Sequence, residues 1–227
     1  MLLIFPKTHI KDRCKLLIKQ TAAGPHTVNK EGGMERRVVR LVRKVCLLGD
    51  PGVGKTSLIR MHLSGTFDPE QRSTVGTSVS RRTVVLDFPE KGLEVHLRLS
   101  LWDITGHVNH PRFRRAYLRG AHGALVVADA SRPETLPGTI DWLDELRAEA
   151  GNVPAVLVVN KMDIFEKGAL DVELLRDICA GFGCELRLAS ARTGRSVNGT
   201  FNRLFRRLAW TAVDEFSRGG SKWGMCA

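Results

Sequence analysis

Gly49-Asp50-Pro51-Gly52-Val53-Gly54-Lys55-Thr56 fits the pattern GxxxxGK[ST]. The apolar run Val45-Cys46-Leu47-Leu48 before it reads as a short buried strand, and Thr56 to Leu63 after it reads as a helix. A glycine-rich turn between a strand and a helix is the setting that a phosphate-binding loop requires. A chance turn with an incidental lysine would need neither neighbour. Glycines let the backbone wrap closely around phosphates, and successive N–H groups form a nest for anions. Lys55 is long enough to reach the β- and γ-phosphates, and the Thr56 hydroxyl suits magnesium.

The chain on either side supports one architecture. Arg82 to Phe88 alternates weakly, and Leu93 to Trp102 alternates clearly, with Leu93, Val95, Leu97, Leu99 and Leu101 on one face. Pro89-Glu90-Lys91-Gly92 between them predicts a hairpin. Ala124 to Ala128 and Ala155 to Val159 are unbroken apolar runs, as expected of parallel strands buried on both faces. Helical spacing recurs between them at Leu143, Leu146 and Ala150, again over Leu170 to Ala180, and finally over Val197 to Phe216. Glu185 to Ala189 reads as a weak strand. The expected fold class is α/β: a six-stranded, mostly parallel, doubly wound sheet with one antiparallel edge strand. Ligands of such sheets bind at the carboxyl ends of the strands.

A phosphate loop does not choose a base. Asn160-Lys161-Met162-Asp163 follows the strand Ala155 to Val159, where a base could lie. A carboxylate at Asp163 can accept both the N1–H and the 2-amino N–H of guanine. Adenine offers no such pair, so the acceptor discriminates strongly.

With these residues in order, the chain resembles the Ras superfamily, and the Rab branch above all, over about Val38 to Val213. The resemblance implies a Ras-like G domain that binds GTP or GDP with magnesium. It assigns Gly49, Asp50, Gly52, Val53, Gly54, Lys55, Thr56 and Ser57 to the phosphates, and Phe67 to the guanine ring. Thr74, in Ser73-Thr74-Val75-Gly76, matches the switch I threonine that meets magnesium and γ-phosphate. Asp103-Ile104-Thr105-Gly106 matches DxxG, with Asp103 on magnesium through water and the Gly106 N–H on γ-phosphate. Asn160, Lys161 and Asp163 would hold the base, as would Ser190, Ala191 and Arg192 in Ser190-Ala191-Arg192-Thr193-Gly194. Tyr117 to Gly123 looks Rab-like. Effector, exchange and activating proteins would read the switches near Thr74 and Gly106, whose contacts exist only while γ-phosphate is present.

The departures are informative. His107 stands where relatives place the glutamine that orients the attacking water. It is either a water-orienting residue or an exposed loop residue in a chain that binds GTP without hydrolysing it. Pro51 removes an N–H and adds bulk near the γ-phosphate. Gln71 replaces a frequent tyrosine, and Arg192 a frequent lysine. His107 and His110 form HxxH, too few ligands for a metal site.

Of 227 residues, 43% are hydrophobic and 26% charged, an ordinary balance for a globular domain with a core of its own. The net charge of +11 favours polyanions, yet no nucleic-acid-binding motif accompanies it, so no specific nucleic acid is expected. Five cysteines without a CxxC pair indicate neither a disulfide framework nor a zinc site, and suit a reducing cytoplasm. Residues 1–37 read as an N-terminal extension: a disordered tail, a basic amphipathic segment, or a stretch upstream of a start at Met34. The G domain is expected over 38–216 and a short tail over 217–227. Cys226 is second from the end rather than fourth, so no CaaX prenylation signal is present. A monomer with at most weak peripheral membrane contact through Lys222 and Trp223 is expected.

Overall fold

The computed structural model describes residues 28–29, 36–71, 76–104, 111–165 and 170–217. Strand β1 (Val28–Asn29) precedes the long β2 (Arg36–Leu48), which runs into the phosphate loop and then α1 (Lys55–Ser64). A hairpin of β3 (Thr77–Phe88) and β4 (Leu93–Ile104) follows, joined by a 3₁₀ turn at Pro89–Lys91. The remainder alternates: α2 (Pro111–Leu118), β5 (Gly123–Asp129), α3 (Thr135–Ala150), β6 (Ala155–Asn160), α4 (Val172–Phe182), β7 (Glu185–Leu188) and α5 (Val197–Ser217).

The strands run in the order β3-β4-β2-β5-β6-β7. β4, β2, β5, β6 and β7 pair in parallel, and β3 is the antiparallel edge. This agrees with the six-stranded sheet expected from sequence. The two-residue β1 is additional, pairing Val28 with Arg37 and Asn29 with Arg36. β2 is also far longer than the apolar run Val45 to Leu48. Its earlier half buries Val38 and Leu41 while Arg37 and Arg40 are exposed, so an exposed arginine stands on each face of the strand beside a buried residue and interrupts the apolar run.

Two cores flank the sheet. On one face Leu97, Leu99 and Leu101 of β4 meet Leu58 of α1 and Phe201, Leu204 and Phe205 of α5. On the other, Val126 and Leu157 meet Trp142, Leu143 and Leu146 of α3 and Leu175 of α4. Every residue of β5 and β6 is buried, the reason those two runs carry no polar alternation. Among the described residues no helix is long and apolar enough to cross a membrane.

Two histidines are drawn into this framework as neutral rings. His62 stacks on Phe201 with ring centres 4.1 Å apart, and burial lowers its pKa. His122, in the turn before β5, accepts the Lys44 N–H at Nδ1 over 3.1 Å. Burial, with Arg43 and Lys44 nearby, lowers its pKa from 6.5 to about 4. A protonated Nδ1 could not accept that hydrogen bond. Above about pH 6.5 folded and unfolded chains are both neutral at this site, so it costs nothing. As pH falls from 6.5 toward 4 the unfolded chain takes up the proton first, and stability is lost. Screening at this half-buried position leaves a loss of about 1–2 kcal/mol. An NMR titration is expected to find the His122 imidazole neutral at about pH 5.5, where an unperturbed histidine is mostly charged.

Candidate functional site

The phosphate loop spans the carboxyl end of β2 and the first turn of α1, at the centre of the sheet. Gly54 caps α1 with φ of 96°, a conformation that side chains resist. A Cβ there would also lie 2.3 Å from Asn160 Nδ2. Only glycine lets the loop approach β6 so closely.

Lys55 is 6% exposed. Its ammonium donates to the carbonyls of Gly49 at 2.7 Å and Asp50 at 2.8 Å, folding the side chain back over the loop. Burial brings its pKa down to about 8, against the pull of Asp103 and Asp50. The amine is therefore still a cation near neutrality, and a phosphate beside it would reinforce that charge. The Asp50 side chain points the other way, into α3, where Trp142 Nε1 donates to Oδ1 at 3.3 Å.

Thr56 and Asp103 meet at the loop's mouth. The Thr56 hydroxyl donates to the buried Asp103 carboxylate in a short hydrogen bond. Two hard oxygen donors from different elements, one of them anionic, are the donor chemistry that suits magnesium. Ser57 follows on α1 and is half-buried, while Phe67 lies beyond the helix, 37% exposed.

The residues that the sequence assigns to the base converge as well. Asn160 is buried at the end of β6; its Nδ2 donates to Val53 O at 2.9 Å, and its Oδ1 accepts from Ala191 N at 3.0 Å. Asp163 is exposed, and one carboxylate oxygen accepts from the Ser190 hydroxyl at 2.6 Å. Ser190 Oγ in turn accepts the Thr193 N–H at 3.1 Å, closing the turn that carries buried Ala191 and exposed Arg192. Lys161 takes a left-handed φ of 64°, and its ammonium lies 2.6 Å from Asp129 Oδ2. Thr74, Gly106, His107 and His110 lie outside the described residues.

Asp129 was not picked out by sequence reasoning. It ends β5 with a fully buried carboxylate. Besides Lys161, its oxygens receive Arg132 Nε at 3.0 Å and the Ser131 N–H and hydroxyl at 3.0 and 2.7 Å. Burial pushes its pKa up, but the bonds from Lys161, Ser131 and Arg132 outweigh that and hold it below the ordinary carboxylate range. The available signal was a lone carboxylate closing the apolar run Ala124 to Ala128, since a buried charge requires partners.

A glycine-rich loop between the central strand and a helix, in a doubly wound sheet, defines a P-loop nucleotide-binding protein. Residues 44–209 match the Ras family, and the chain belongs to that family. It is 30% identical over 171 residues to "Ras-related protein RABA4b" of Arabidopsis thaliana, covering 75% of this chain and 74% of the relative. It is 29% identical over 168 residues to "Ras-related protein RABA4a" of the same plant, covering 74% and 72%. "GTP-binding protein ypt3" of Schizosaccharomyces pombe is 30% identical over 166 residues, covering 73% and 75%. These relatives make the chain a small GTPase near the Rab branch.

Proposed function

We propose that this GTPase, within residues 38–216, binds GTP with magnesium, hydrolyses it slowly, and reports the bound state through its switch loops. The observation that carries the reading is the meeting of three loops at one end of the sheet. Lys55 lies over the phosphate loop, Asn160 ties that loop to Ala191, and Asp163 stands beside Ser190.

In this reading the Asp163 carboxylate accepts the two guanine N–H groups while Ser190 fixes its orientation. The Ala191 N–H is already committed to Asn160, so the turn holds its shape around the base. Lys55, itself buried, and the loop N–H groups neutralise the phosphates, and burial strengthens the action of that charge. Thr56, Asp103 and Thr74 would hold magnesium. When bound, that ion draws charge from the phosphate oxygens.

His107, in its neutral form, orients the attacking water toward the γ-phosphate. A neutral imidazole has one nitrogen free to accept the water's hydrogen, and imidazolium has none. Turnover should therefore rise as pH climbs through about 6.5. The test is single-turnover hydrolysis by wild type, His107→Ala and His107→Gln from about pH 5.5 to 8.5. A slow, pH-dependent rate that His107→Ala lowers is expected. A pH-independent rate that His107→Ala leaves unchanged would remove His107 from catalysis. That result would favour a GTP-binding interaction module with little turnover, a second reading to which His107 and Pro51 point.

The proposed partners are effectors, exchange factors and activating proteins that bind near Thr74 and Gly106. A cytoplasmic monomer with weak membrane contact at most completes the reading. Fractionation in low-detergent buffer should leave most of the protein soluble.

A further inference from the structure

Arg132 follows β5 and reaches back to the phosphate loop. Its Nε donates to Asp129 Oδ2 at 3.0 Å, and its Nη2 donates to the Pro51 carbonyl at 2.9 Å. A Cβ built on Gly52 would lie 3.5 Å from the same nitrogen, so the guanidinium rests against the Pro51–Gly52 peptide. Asp129 is fully buried and is also held by Lys161, so the arginine is mounted on a rigid post. The Lys55 ammonium feels its charge.

The peptide it grips matters because of its neighbours. Pro51 has no N–H, so the loop has one donor fewer for an anion. The next donor is Gly52, whose φ of 75° belongs to a residue free to turn. Among the described residues no peptide is cis, so the Pro51 carbonyl and the Gly52 N–H point in opposite directions across one planar unit. Holding the carbonyl at Arg132 therefore fixes the N–H on the opposite side of the unit. A cationic donor on the carbonyl also polarises the peptide and strengthens its N–H as a donor. Without the arginine the unit could rotate and present a carbonyl, rather than an N–H, to a phosphate.

We propose that Arg132 is a positioning residue for the nucleotide: it holds the Gly52 N–H toward the phosphates and thereby slows GDP release. This rests on the reading that the loop binds guanine nucleotide. It is a device built from two residues of this chain, a proline that removes one donor and an arginine that secures the next.

The test is release of a fluorescent GDP from the full chain with magnesium present, chased by excess unlabelled GDP. Arg132→Ala is expected to release GDP roughly tenfold faster, the scale of one lost charge-assisted hydrogen bond. Arg132→Lys should fall between, because one ammonium lacks the fork that spans Asp129 and Pro51 together. Amide exchange adds a readout that general loosening would not reproduce: Gly52 N–H should exchange faster in Arg132→Ala with GDP bound, while amides in β6 stay protected. Should Arg132→Ala not fold, Arg132→Gln and Arg132→Lys give the same comparison. Release within about twofold of wild type, or faster release with Gly52 protection unchanged, would overturn the inference. Wild type that binds no GDP would overturn the nucleotide reading and this one with it. Wild type that holds GDP while Arg132→Ala releases it equally slowly overturns only the role of Arg132.

Discussion

Lys55→Ala is expected to weaken GTP binding in magnesium by at least about 100-fold, because removing one partner of a buried charge pair costs about 3–5 kcal/mol. Two losses combine. The phosphates lose a cation whose burial already makes it an unusually poor ammonium in their absence. The loop also loses its internal brace, because the same nitrogen holds the Gly49 and Asp50 carbonyls. The Gly54 approach to Asn160 is a backbone feature and should survive, so the variant is expected to fold. Titration with a fluorescent GTP analogue measures the change, and affinity equal to wild type would refute the assignment of the phosphate loop.

Asp163→Asn should show the second large effect, and it changes the preferred base rather than only the strength of binding. In the proposed site the carboxylate would accept two guanine donors; an asparagine amide turns one acceptor into a donor facing another donor. A site that leaves buried polar groups mismatched discriminates by about 10⁴ or more in favourable cases. A loss of GTP affinity of about 100-fold or greater is expected, with xanthosine triphosphate, whose C2 oxygen replaces the amino group, now bound better than GTP. The Ser190 hydroxyl can still donate to the remaining side-chain oxygen, so the turn that holds Ala191 should keep its form. Competition between the two nucleotides on the variant provides the measurement. An unchanged preference for GTP would mean that Asp163 does not read the base.

The sheet was legible in the sequence where burial leaves the cleanest signature. β5 and β6 are buried throughout and read as unbroken apolar runs, while β4 alternates and reads at period two. β2 was shortened because its exposed arginines interrupt the apolar count. In β3, Val79 and Val85 are exposed while Phe88 is buried, so β-branched residues mark a strand without marking a buried face.

The phosphate loop was legible because its glycines and lysine are required by backbone geometry, and geometry has a fixed spacing. The supporting contacts were not. Asn160 reads from sequence as a base contact, but nothing in the sequence shows that its amide nitrogen and oxygen are both engaged by backbone from two other loops. Asp129 and Arg132 hold each other locally, but their other partners, Lys161 just past β6 and Pro51 in the phosphate loop, are distant in sequence and leave no spacing signature. The Asp50–Trp142 contact spans 92 positions. Side chains that brace a loop from across a sheet become visible only once the strand order is known.

The Asn160 amide has one further consequence. It joins Val53, in the phosphate loop, to Ala191, in the turn that the proposed reading sets beside the base. In that reading one planar group would serve both ends of the nucleotide, so the two ends would not be tuned as separate sites. Whatever displaces the turn displaces the loop. By reciprocity, the factor by which a bound base improves phosphate binding must equal the factor by which bound phosphates improve base binding. Substitutions at Lys55 and Asp163 should accordingly be non-additive, with the shared amide as the physical origin of their interaction energy.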